Sequence, residues 1–183
     1  MSTEKNNLYF IHGWLSSPTG EKAQLFKEHL NAEPLSYRDC DPQDINVDEC
    51  INTLQQTLEG KTDITLIGSS LGGLLSAHLA LHNKNITKLI LLNPAIIPPD
   101  MDLKTLLTGI PLSILQGMQK PALYSENINA AIYIINGNHD EVVPPEWAVR
   151  FARKQQATIH FLDDDHRLSK HMPMLCNLIK KHL

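Results

Sequence analysis

Short apolar runs alternate with amphipathic stretches along most of the chain, and that alternation restricts the possible folds more than any other feature. Strand-like runs stand at Leu8–Ile11, Ile64–Ile67, Lys88–Leu92, Ile132–Ile135 and Thr158–Leu162, with a weaker one at Leu35–Arg38. Helical patterns lie between them, from about Thr19 to Leu30, Asp44 to Leu58, Leu71 to Leu81, Pro145 to Gln155 and Ser169 to Leu183. In the second of these, Val47, Ile51, Leu54 and Leu58 recur at helical spacing, with Asp44 as the expected N-cap and Gly60 as the stop. Strands that are apolar on both faces and joined by helices need a helical layer on each side of a parallel sheet. At 183 residues the chain is expected to form a single domain over 1–183.

The stretch 98–127 interrupts the alternation. Leu103, Leu106, Leu107 and Ile110 suggest a short amphipathic helix, and Pro111 and Pro121 punctuate it. An insertion at this point reads equally as a small cap over a pocket or as a helix packed on the core.

The segment Gly68-Ser69-Ser70-Leu71-Gly72-Gly73 joins a predicted strand to a predicted helix. That context turns a weak G-x-S-x-G pattern into a specific one. Ser70 is expected in a tight, strained turn with its hydroxyl raised above the sheet. Gly68 and Gly72 flank it where a Cβ would strike backbone. The first helical N–H groups lack acceptors and favour negative charge, so the Leu71 amide is a candidate oxyanion donor. Ser69 lacks the flanking glycine spacing.

His12-Gly13-Trp14 follows the first strand. The loop after this strand supplies the other oxyanion donor in such sites, and the Trp14 amide is the candidate. Gly13 lets the backbone approach a substrate, and His12 is expected to shape the loop. An acid and then a base should follow the serine in chain order. Asp140 lies after the fifth run, in Asn136-Gly137-Asn138-His139-Asp140-Glu141, with Glu141 as the alternative. His166 lies after the last run, behind Asp163-Asp164-Asp165, and its ordinary pKa near 6.5 suits a proton shuttle. His171 is expected inside the final helix.

Composition excludes several other classes. Hydrophobic residues make up 42% and charged residues 20%, with a net charge of −4, which gives no electrostatic basis for a nucleic-acid or anionic-membrane partner. The polar start, Met1 to Asn7, has no signal-peptide core, and the longest apolar stretch, Leu89–Ile97, is too short to span a bilayer. Cys40, Cys50 and Cys176 have no metal-type spacing, which points to a reducing cytoplasm and no disulfide framework. His78 and His82 stand four apart on a predicted helix, but the glutamate of a zinc-protease motif is missing, so they read as surface histidines. No dinucleotide or phosphate-loop motif is present, and no cofactor or metal is expected.

The chain resembles the α/β-hydrolase superfamily, in particular its small YqiA-like esterases. The likeness rests on His12-Gly13-Trp14 with Ser16-Ser17-Pro18, on Gly68 to Gly73, on Asn93-Pro94-Ala95, and on Asp140-Glu141-Val142 with the late His166. It implies an α/β-hydrolase fold: a trimmed, mostly parallel sheet of about six strands, its second strand at one edge beside the first. It also implies Ser70 as nucleophile, Asp140 as acid and His166 as base, acting on a small-molecule acyl ester or thioester. The run Asp163-Asp164-Asp165 departs from relatives with glycine-rich residues there, and leaves open a local aspartate that assists or replaces Asp140. A ligand-binding protein on the same scaffold, with little turnover, is the alternative reading.

Overall fold

A computed structural model describes residues 7–106 and 109–183. Its centre is a six-stranded sheet in the order β2-β1-β3-β4-β5-β6. The strands are β1 (Leu8–Ile11), β2 (Glu33–Leu35), β3 (Ile64–Ser69), β4 (Ile86–Leu92), β5 (Ala131–Gly137) and β6 (Thr158–Leu162). Every neighbouring pair is parallel, and β2 takes the edge beside β1. The fold is that of an α/β hydrolase, trimmed to six strands.

Alternate residues of each strand feed opposite apolar layers. Phe10, Ile67, Ile90 and Ile135 pack with Phe26 of α1 (Glu21–Leu30) and Leu175 and Ile179 of α7 (Met172–Lys180). Ile11, Leu66, Leu89 and Ile134 pack with the second layer. That layer comprises α2 (Val47–Thr57), α3 (Leu71–His82), α4 (Leu112–Met118), α5 (Ala122–Ser125) and α6 (Pro145–Gln155). No helix among the described residues is long and apolar enough to cross a membrane.

Three expectations about element ends change. The second strand ends at Leu35, pairing only Glu33–Leu35 with Tyr9–Ile11. Tyr37 and Arg38 leave the sheet because their polar ends bond to carbonyls of the loop after β1. Asp44 closes a 3-10 turn, Pro42–Asp44, and does not cap α2. Asn46 is the cap, its side chain accepting from the amides of Asp48 and Glu49. The last helix begins at Met172, not Ser169, because the Asp164 carboxylate takes the Lys170 and His171 amides and holds that stretch as a turn.

In the insertion, Leu103–Thr105 forms only a 3-10 turn, and Leu107 lies outside the described residues. The helix starts after Pro111, whose φ of −53° suits a helix entry. Ile114, Leu115 and Met118 of α4 are buried in the core.

Candidate active site

Ser70 sits between β3 and α3 with φ 53° and ψ −116°, a conformation that L-residues rarely adopt. Its neighbours hold it there. Its amide donates to Leu92 O at 2.9 Å, and its carbonyl accepts from Gly73 and Ala95 at 2.9 and 3.0 Å. The flanking glycines are required by close approach. A Cβ on Gly68 would lie 2.4 Å from Gly72 O, and one on Gly72 would lie 2.0 Å from Ile11 O.

The loops after β3, β5 and β6 meet at the carboxyl end of the sheet. His166 Nε2 lies 3.1 Å from Ser70 Oγ. On its far side, Nδ1 lies 2.9 and 2.8 Å from the two carboxylate oxygens of Asp140. Asp140 has a fully buried side chain, and its Oδ1 also accepts from the amides of Val142 and Val143. Facing that carboxylate, Nδ1 carries the proton and Nε2 is left to accept from the serine hydroxyl. Glu141, the alternative acid, accepts from the His166 backbone amide, and among the described residues no hydrogen bond joins it to the ring.

The three aspartates before His166 build its loop. Asp163 pairs with Lys170 and His139, which hold its carboxyl below the usual range. Burial opposes ionisation of Asp164, but the His171 ring and three backbone amides hold its carboxyl low. Asp165 accepts from the Ser169 amide, which lowers its carboxyl too. None of the three hydrogen-bonds to the His166 ring among the described residues. His171 precedes α7 and pairs with Asp164, so it is not inside the helix as expected.

The loop after β1 lies against the serine. A Cβ on Gly13 would be 3.4 Å from Ser70 Cβ. His12 is buried; its Nδ1 donates to Gly13 O at 2.9 Å, and its ring stacks on Tyr37 at 4.4 Å. Burial lowers its pKa to about 4. Leu71 opens α3, so its N–H has no acceptor one turn back.

A cavity of about 440 Å³ opens over these groups. On the α4 side its wall is apolar, with Ile97, Leu115, Met118 and Trp147, while Glu21, Lys22 and Arg167 line the opposite side. Lys22 donates to Arg167 O at 2.7 Å, and burial together with the Arg167 charge lowers its pKa.

Asn93 was legible only as part of a motif, and the structure gives it a place. It is buried at the end of β4, with φ 44°. Its Nδ2 donates to the carbonyls of Asp165 and His166 at 3.1 and 2.7 Å, and its Oδ1 accepts from Gly137 N at 2.7 Å. One side chain thus ties β4 to the end of β5 and to the His166 loop. His78 is half-buried, not the surface group expected, whereas His82 is exposed as expected, and their rings meet edge to face at 4.9 Å. Burial lowers the His78 pKa to about 4.

Residues 7–109 match the family described as Uncharacterised protein family (UPF0227). The chain belongs to that family. No curated protein matches this UPF0227 member by sequence. Among solved structures it is similar to Est1E from Butyrivibrio proteoclasticus, determined with ferulic acid bound. That match has a TM-score of 0.79 at 19% identity, covering 99% of this chain and 89% of the other. It is also similar to mouse alpha/beta hydrolase domain-containing protein 10, with TM-score 0.72, 19% identity and coverage of 100% and 93%. A third likeness is to the monoacylglycerol lipase of Paleococcus ferrophilus, with TM-score 0.69, 16% identity and coverage of 96% and 94%. At these identities the likeness establishes the fold.

Proposed function

We propose that this UPF0227 member is a serine hydrolase that cleaves a carboxylic ester or thioester through an acyl-enzyme on Ser70. The supporting observation is the hydrogen-bonded chain from Ser70 Oγ through His166 to Asp140, opening into a largely apolar cavity. His166 takes the hydroxyl proton as Ser70 attacks the carbonyl carbon, and Asp140 stabilises the imidazolium. The Leu71 and Trp14 amides receive the oxyanion; each such donor is typically worth about 3 kcal/mol of barrier. The carbon–oxygen or carbon–sulfur bond then breaks, and His166 hands its proton to the departing alcohol or thiol. Water, deprotonated by His166, releases the acid.

In this reading 1–183 acts as one domain, and 98–127 serves as a small cap whose Leu115 and Met118 receive an acyl chain of short to medium length. The chemistry needs no metal or organic cofactor. The similar Paleococcus protein is named a monoacylglycerol lipase, which agrees with the assignment. The test is Ser70→Ala against a series of aryl esters and acyl thioesters of graded length, with fluorophosphonate labelling of the folded protein. Loss of nearly all turnover and of labelling is expected. Wild-type protein that neither labels nor turns over any substrate would favour a ligand-binding role instead.

A further inference from the structure

We propose that Tyr37 and Arg38 are positioning residues that aim the Trp14 amide N–H at the substrate's carbonyl oxygen. The inference rests on the acyl-transfer reading above. The Gly13 carbonyl and the Trp14 N–H belong to one peptide bond. In a trans peptide they point in opposite directions, and no cis peptide occurs among the described residues. Fixing the carbonyl therefore fixes where the N–H points.

Gly13 O accepts from Tyr37 OH at 3.1 Å, from His12 Nδ1 at 2.9 Å and from the Ser16 amide at 3.2 Å. Tyr37 is buried, and its ring is backed by the stacked His12. Burial raises its phenol pKa, so the hydroxyl stays a donor through the working pH range. Gly13 itself lies against the nucleophile, since a Cβ there would stand 3.4 Å from Ser70 Cβ. With the carbonyl held at Tyr37, the Trp14 N–H points the other way, and Trp14 and Ser70 line the same cavity.

Arg38 fixes the next peptide. Its Nη2 donates to Trp14 O at 2.8 Å and Ser16 O at 2.9 Å, and its Nη1 donates to Cys40 O at 3.0 Å. The Trp14 indole adds a bond to Pro42 O at 2.6 Å. The peptides on both sides of Trp14 are thus held by their carbonyls, leaving its amide aimed without reorganisation during reaction. Hydrogen bonds to a peptide carbonyl also polarise its N–H, strengthening it as a donor.

The experiment compares wild type, Tyr37→Phe and Arg38→Lys on one aryl butyrate. It measures kcat, KM, the pH profile, and the Ki of an aryl boronic acid, whose serine adduct is a tetrahedral anion. Deleting an oxyanion donor outright costs about 100- to 1,000-fold, so misaiming one should lower kcat about 10- to 100-fold. KM should stay within about twofold, boronate affinity should weaken in step with kcat, and the pH midpoint should not move. Arg38→Lys carries the test if Tyr37→Phe does not fold. Unchanged kcat, or a loss accompanied by a shifted pH midpoint, overturns the inference while wild-type turnover keeps the hydrolase reading. Wild-type protein inert to esters and to fluorophosphonate overturns both.

Discussion

Replacing Ser70 by glycine should stabilise the protein relative to replacing it by alanine. Both changes remove the hydroxyl and its bond to His166, so their difference isolates the Cβ in its backbone setting. Ser70 holds φ 53° and ψ −116°. A non-glycine residue in such a region carries about 1–3 kcal/mol of strain, which glycine escapes. Glycine loses roughly 0.5–1 kcal/mol more than alanine through the freedom of the unfolded chain. The net advantage of Ser70→Gly over Ser70→Ala is therefore about 1 kcal/mol. For a chain of this size that raises Tm by about 2–4 °C. Paired urea and thermal melts at neutral pH measure it. A glycine variant no more stable than the alanine variant would refute the claim that the turn is strained.

Asp140→Asn should lower kcat by about 10,000-fold, the scale seen when a buried acid no longer fixes the imidazole tautomer, with little change in Tm. Asp165→Asn should leave kcat within about threefold, because the Asp165 carboxylate bonds to Ser169 within its own loop; the reverse ranking in steady-state kinetics would move the acid. Asn93→Ala strips partners from Gly137 N and from the Asp165 and His166 carbonyls, and should cost about 2–4 kcal/mol in urea melts. His12 has its pKa lowered to about 4, so between pH 6.5 and 4 the unfolded chain takes up a proton that the folded chain refuses. Its contribution is complete above pH 6.5 and falls by about 3 kcal/mol on acidification to pH 4; urea melts across that range should slope less for His12→Gln.

The sheet was legible because strands buried on both faces must be continuous apolar runs, whatever their tertiary partners. The elbow was legible because its glycines answer a local demand: Gly72 must let Ile11 O pass where a Cβ would stand. Ser70, Asp140 and His166 followed from chain order, and the structure brings them into one hydrogen-bonded line. What stayed hidden depends on distant partners. Asn93 reads as turn punctuation after a strand, yet its carboxamide bonds to Gly137 and to the His166 loop, far along the chain. Tyr37 and Arg38 continue a strand pattern, and only the adjacent β1 loop explains why they leave the sheet. The acidic run before His166 left open a local aspartate as the acid, whereas its carboxylates are taken up by neighbouring amides and basic side chains. In the insertion, Pro111 decided where the helix begins, which the apolar spacing of Leu103 and Leu106 did not reveal.

The imidazole hangs from β6, an edge strand with no fully buried residue. Such margins open first on warming, well before the interior of a domain. Activity should therefore vanish at a lower temperature than the circular dichroism of the helices. Asn93 narrows that interval, because it moors the His166 loop to β4, whose last four residues are fully enclosed.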